Sequence, residues 1–202
     1  MRILKKPFPA RGSRPIMADQ GTEGLLSPFL RQRRLKAATP YLKGRVLDVG
    51  CGSGVLAGLV DSTSYLGVEV HEASLNRAKD YFPSYSFQNS LPPIEEKFDT
   101  VVSLAVIEHV ADPLVFLESL VRNLKHDPAA RIVITTPHPS AGWVHDVGAS
   151  IGLFSKHANE EHEELLDQSM LLDLGQRAGL VLLDYQRFLF GVNQLAVFHA
   201  AR

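Results

Sequence analysis

Apolar positions in this chain alternate between two spacings. Leu26, Phe29, Leu30, Leu35, Ala38 and Leu42 recur at helical intervals. Ser27-Pro28 offers a capping hydroxyl and a proline at the first helical position, and Gly44 ends the segment. Val46-Leu47-Asp48-Val49 is a short apolar run that stops at glycines, as a buried strand does. The pattern then predicts a helix over Val55–Val60, a strand over Tyr65–Val70, a helix over Glu72–Tyr81 and a short strand at Tyr85–Phe87. Asp99–Leu104 is β-branched and apolar, a fourth strand. Asp112-Pro113 opens a helix whose inner face is Leu114, Leu117, Leu120, Val121 and Leu124. Arg131–Thr135 is a fifth strand. After an unpatterned stretch, Asp167 or Ser169 caps a helix that runs through Ala178 to Gly179. Leu180–Phe190 and Gln194–Ala200 read as two last strands joined near Gly191.

Strands alternating with helices imply an α/β fold: a doubly wound, Rossmann-like, mostly parallel seven-stranded sheet with helices on both faces. The last two strands are too close for a crossover helix, so they form a C-terminal antiparallel hairpin. Ligands in such sheets bind at the carboxyl ends of the strands, where strand order reverses.

The chain has 202 residues, enough for one domain with a sizeable core. Its 45% hydrophobic and 21% charged residues exclude a disordered or collagen-like chain. A single cysteine, Cys51, forms no internal disulfide, which points to a reducing, cytoplasmic setting. No apolar run approaches the roughly 18 residues that span a bilayer. Residues 1–20 read as a flexible basic arm and 21–202 as one domain, and Met17 is a candidate second start. The net charge of −1 hides a split. Residues 1–45 hold eleven Lys/Arg and two Asp/Glu, against ten and twenty in the remainder. A basic head on an acidic body raises the question of an anionic partner.

The chemistry concentrates in Val46-Leu47-Asp48-Val49-Gly50-Cys51-Gly52-Ser53-Gly54. Three glycines after a buried strand let a ligand approach the backbone where a side chain would block it. Their spacing is G-x-G-x-G, not the dinucleotide G-x-G-x-x-G. Asp48 stands just before them, and Glu69, at the end of the next strand, is placed to accept hydrogen bonds from ribose hydroxyls.

These residues resemble the class I S-adenosylmethionine-dependent methyltransferase family. The resemblance extends through Phe98–Leu104, through Ile107-Glu108-His109-Val110-Ala111-Asp112-Pro113 in the form common to the small-molecule branch, and through Arg131–Pro137. That branch includes quinone-biosynthesis and sugar or natural-product enzymes. The resemblance implies S-adenosylmethionine as cofactor and S-adenosylhomocysteine as product. It implies that Gly50, Cys51, Gly52 and Gly54 line the methionine and ribose portion, that Asp48 orients the loop and helps hold the amino group, and that Glu69 binds the ribose. Val70 would touch adenine, Asn89 or Ser90 would bond its amino group, and Leu104 would sit beside the methionine part.

The acceptor is expected to be a small molecule, methylated on a hydroxyl oxygen. His109 is a candidate base at the ligand edge, and the alternative is that it and Glu108 only shape the loop. Residues 137–165 form a polar stretch expected to be a substrate lid, with His157 and His162 as further catalytic candidates. Trp143 and Phe154 would close the pocket or anchor the loop. No standard metal-ligand spacing occurs there. Arg31, Arg33 and Arg34 form either a solvated basic face or a contact to the cofactor carboxylate or an anionic acceptor. Two other classes compete: a non-catalytic nucleotide-binding protein on the same fold, and an NAD-dependent oxidoreductase. A nucleic-acid enzyme is disfavoured, because Leu104-Ala105-Val106-Ile107 stands where an amino-methylating enzyme would carry N/D-P-P-Y/F.

Overall fold

The computed structural model of the chain describes residues 27–141 and 165–201. The basic arm, Met17, and most of the 137–165 stretch, including Trp143, Phe154, His157 and His162, lie outside the described residues.

Seven strands form one sheet: β1 (Val46–Val49), β2 (Tyr65–Val68), β3 (Ser86–Gln88), β4 (Thr100–Leu104), β5 (Arg131–Pro137), β6 (Leu180–Phe188) and β7 (Asn193–Ala200). Their order is β3-β2-β1-β4-β5-β7-β6. The first five are parallel, and β7 runs antiparallel to both β5 and β6. Strand order reverses between β1 and β4, so the crevice for a ligand opens at their carboxyl ends.

The period-two alternation of the strands divides the core into two layers. Val101, Ile132, Ile134 and Phe198 face one cluster with Leu117 and Leu120 of α3 (Pro113–Arg122) and Leu171 of α4 (Gln168–Arg177). Val102, Val133, Leu195 and Val197 face the other, with Leu35 and Ala38 of α1 (Ser27–Ala38). Each of these Val, Leu, Ile and Phe side chains that leaves water contributes roughly 1.5–3 kcal/mol, so both faces of the sheet must be covered. Gly175 in α4 has a packing reason: a Cβ there would lie 2.5 Å from the Phe198 ring.

Side-chain caps define two helix starts. Asp112 accepts from the Leu114 and Val115 N–H groups at 2.9 and 3.1 Å, with Pro113 next. Asp167, rather than Ser169, caps α4 and accepts from Met170 N–H at 2.9 Å. The Ser169 hydroxyl instead donates to that carboxylate.

Several boundaries differ from expectation. Val55–Leu59 is a 3-10 turn and not an α-helix. It starts from left-handed Gly54 with no side-chain cap, and Val60 is already extended. The first helix stops at Ala38 and tightens into a 3-10 turn at Thr39–Tyr41, because Pro40 disfavours continued α-helix at the residue before it. The second strand closes at Val68, which leaves Glu69 and Val70 in the turn beyond it. The third begins at Ser86, and β5 runs on to Pro137 because β7 pairs with it to that point. Glu72–Tyr81 is helical as expected (α2).

Candidate functional site

The loop after β1 is built by backbone that only glycine tolerates well. Gly50, Gly52 and Gly54 all have positive φ, at 76°, 55° and 78°. Their surroundings differ. A Cβ on Gly50 would meet Val106 Cγ2 at 2.3 Å, and one on Gly54 would meet the Phe87 ring at 2.9 Å. A Cβ on Gly52 would meet nothing within 4 Å. Two glycines thus let the loop seat against the protein, while the third presents bare backbone to the crevice.

Hydrogen bonds hold this cradle to β2. Gly50 N–H and Cys51 N–H both donate to Val68 O, at 2.8 and 3.0 Å. Glu69 receives Gly52 N–H on one carboxylate oxygen at 2.9 Å and His71 N–H on the other at 2.8 Å. A carboxylate has about four acceptor sites, so two remain for hydroxyl donors. Val70 is 83% exposed beside it, and Asn89 and Ser90 are exposed just past β3. Glu69 N–H donates to Gln88 O, which brings the ends of β2 and β3 together here.

Asp48 lies beneath the loop, buried in β1 opposite Gly67 of β2. Tyr65 donates its hydroxyl to Asp48 Oδ2 at 2.8 Å. Burial pushes the Asp48 carboxyl up to about 7, partly offset by the Tyr65 bond, and the nearby Glu69 charge adds to the rise. Cys51 packs over Gly67, where a Cβ would lie 2.9 Å from its Sγ. Burial and then the charges of Asp48 and Glu69 raise the thiol far above its usual range, which disfavours the thiolate.

The exit of β4 forms the opposite wall. Leu104 is half-buried at the strand's end. Ala105 has φ 59°, a left-handed conformation costing roughly 1–2 kcal/mol in a residue with a Cβ. The turn sends Ala105 N–H to Thr135 O at 2.8 Å and places Val106 against Gly50. A 3-10 turn follows at Ile107–His109. Glu108 is 3% exposed and His109 is exposed. Burial raises the Glu108 carboxyl, while the Arg34 and His109 charges pull it back. Its Oε2 has no hydrogen-bond partner among the described residues.

Arg34 corrects the picture of a solvated basic face on α1. Its Nε donates to Asn193 Oδ1 at 3.0 Å, and burial lowers the guanidinium pKa. Arg33 and Lys36 are exposed. The roles of Tyr65, Gly67, Val106 and Asn193 carry no local sequence signal, since each depends on a partner from another strand or loop.

No helix among the described residues is long and apolar enough to cross a membrane, and no group of three or more His, Cys, Asp or Glu among them is placed to hold a metal ion.

The chain is a class I S-adenosylmethionine-dependent methyltransferase, and its sheet order is that of the fold. The chain belongs to the methyltransferase-domain family, whose model matches residues 24–185. It is 28% identical over 200 residues to a ubiquinone biosynthesis O-methyltransferase of Cereibacter sphaeroides, covering 90% of this chain and 77% of that protein. The enzyme of the same name from Dinoroseobacter shibae is 27% identical over 189 residues, covering 87% and 75%. Among solved structures, Synechocystis magnesium protoporphyrin IX methyltransferase with bound S-adenosylhomocysteine superposes with a TM-score of 0.64. Identity there is 14%, with 86% of this chain and 84% of that one covered. A chain of the Haloferax volcanii complex between a methyltransferase and its activator superposes with a TM-score of 0.69 at 17% identity, covering 87% and 92%. These two share the fold. Neither the oxidoreductase nor the non-catalytic alternative gains support from the comparisons.

Proposed function

We propose that the chain methylates a hydroxyl oxygen of a small-molecule acceptor, with Asp48, Gly50, Cys51, Gly52, Gly54, Glu69, Val70, Asn89, Ser90 and Leu104 forming the cofactor site. The observation that carries the site is the pairing of bare backbone at Gly52 with Glu69, whose carboxylate is held by two N–H groups and keeps two acceptor sites. The likeness to O-methyltransferases over 90% of the chain supports the hydroxyl acceptor.

In this reading the cofactor supplies a methyl group on a positively charged sulfur, which leaves as a neutral sulfide. The residues then have three tasks. Glu69 accepts both ribose hydroxyls, and Asp48 stabilises the cofactor's ammonium from beneath the loop. Leu104 and the strained Ala105 turn form the wall that keeps methyl carbon and acceptor oxygen in line. His109, exposed beside the β4 exit, receives the acceptor proton as the new C–O bond forms. Arg33, exposed on α1, would favour an anionic acceptor.

Titration calorimetry with S-adenosylhomocysteine tests the cofactor site. The wild type should bind saturably and Glu69→Gln at least tenfold more weakly, because the amide retains only one acceptor oxygen. Binding of NAD in place of S-adenosylhomocysteine refutes the reading. Transfer of the methyl group to nitrogen or carbon, and not oxygen, in a screen of labelled cofactor against hydroxylated, amino and carbon acceptors refutes the acceptor assignment. His109→Gln should lower kcat, flatten the pH profile of turnover and leave cofactor affinity intact.

A further inference from the structure

The tip of the β6–β7 hairpin breaks a local rule. Gly191 N–H donates to Phe188 O at 3.1 Å, closing a turn whose central residues are Leu189 and Phe190 at φ 54° and 56°. Such a turn needs positive φ at both positions and strongly prefers Asn-Gly. Two side chains with bulky Cβ substituents sit there instead, in a region that neither adopts readily. Leu189 has a packing reason, being only 9% exposed. Phe190 has none among the described residues: it is fully exposed, at 107% of its reference area.

The turn is also held in place. Val192 N–H donates to Leu189 O, His138 N–H donates to Val192 O, and the Arg187 guanidinium bonds Gly191 O and Ser140 Oγ. Phe190 is therefore presented by a braced turn. Its place in the fold is informative. Asn193 at the start of β7 pairs with Pro137 at the end of β5, so the tip stands at the carboxyl edge of the parallel strands. That is the edge on which the glycine cradle and the β4 exit open, on the side away from β2 and Glu69.

The geometry points to Phe190 as a specificity-determining residue, a stacking platform for an aromatic ring in the small-molecule acceptor. This rests on the methyl-transfer reading of the same edge. One phenylalanine offers at most about 150–250 Å². A stable protein interface needs about 800 Å² per partner, so the ring suits a small molecule better than a second copy of the chain. A flat ring also leaves the acceptor's polar edge free to face Arg187, the cation that braces the turn. Strain held at a site without a folding benefit is expected where it serves binding.

The test uses the full chain saturated with S-adenosylhomocysteine and 2,3-dihydroxynaphthalene as a fluorescent aromatic diol. Saturable binding is expected in the wild type. Phe190→Tyr should stay within about threefold, and Phe190→Gly should bind about tenfold more weakly, the loss expected for a removed ring stack. Phe190→Gly should keep wild-type affinity for S-adenosylhomocysteine. It should also melt about 2–4 °C higher, because glycine relieves the left-handed strain. Absence of saturable diol binding by the wild type overturns the proposal, as does Phe190→Gly binding the diol as well as the wild type. Sedimentation showing wild-type dimers that Phe190→Gly dissolves overturns it in favour of self-association. Diol that binds through Phe190 but is never methylated when S-adenosylmethionine replaces S-adenosylhomocysteine counts against the hydroxyl-acceptor reading and leaves the platform standing.

Discussion

Replacing Asp48 with asparagine should make the protein more stable at pH 8 and worse at binding its cofactor. The carboxyl is 3% exposed and titrates near 7 in the fold, against 3.8 for an ordinary aspartate. At about 1.4 kcal/mol per tenfold change in proton affinity, that rise is on the order of 4 kcal/mol. The sign follows from linkage. The folded chain binds this proton more tightly than the unfolded chain, so the contribution to stability is complete below about pH 4. It is lost as pH rises toward 7 and stays lost above that. Asp48→Asn cannot ionise and lacks this loss. Urea unfolding of both proteins at pH 5, 6, 7 and 8 isolates the effect, because other titrating groups such as Glu108 cancel in the difference. The wild type should lose about 3 kcal/mol relative to the variant between pH 5 and 8. S-adenosylhomocysteine affinity should rise with pH through 7 in the wild type and stay flat and weak in the variant. A stability difference that is constant to within about 0.5 kcal/mol across the series refutes the argument, since a carboxylate already ionised at pH 5 would behave that way.

Three further outcomes are expected. Tyr65→Phe removes the donor at 2.8 Å, so it should push the Asp48 carboxyl higher and steepen the same pH dependence, measured by the same urea series. Gly52→Ala should fold with a cost of about 1–2 kcal/mol from its positive φ yet lose cofactor binding in calorimetry, whereas Gly50→Ala, 2.3 Å from Val106, should lower the melting temperature much further. Asp112→Ala should cost about 1 kcal/mol by uncapping α3, read as a melting point about 2–4 °C lower with cofactor affinity unchanged.

Much of the sheet was legible because burial imposes a short apolar period on each strand. Val46–Val49, Thr100–Leu104 and Arg131–Thr135 stand out for that reason, and the short link before β7 marks the antiparallel pair. The Val55–Leu59 segment fits a helix locally, with five apolar and small residues, yet forms a 3-10 turn because Gly54 leaves its start uncapped. The glycine loop and Glu69 announced themselves by residue type and spacing. Residue type could not show that Gly50 and Gly54 seat against Val106 and Phe87 while Gly52 alone faces open space. Nor could it show that Arg34 bonds Asn193 across 159 residues of sequence.

The chain on its own determined the strand and helix alternation, the glycine cradle with its two carboxylates, and the family. These are properties of neighbouring residues, set by backbone freedom, periodic burial and charge. The tertiary structure alone decided how those residues behave. Asp48 holds its proton near neutrality because burial in the sheet removes it from water, against the opposing hydrogen bond from Tyr65. Ala105 accepts a left-handed turn because Thr135 and Gly50 fix both sides of it. Phe190 stands exposed at the carboxyl edge of the parallel strands because β7 begins opposite Pro137. Each depends on the energy of a contact between distant segments, and no local pattern encodes that energy.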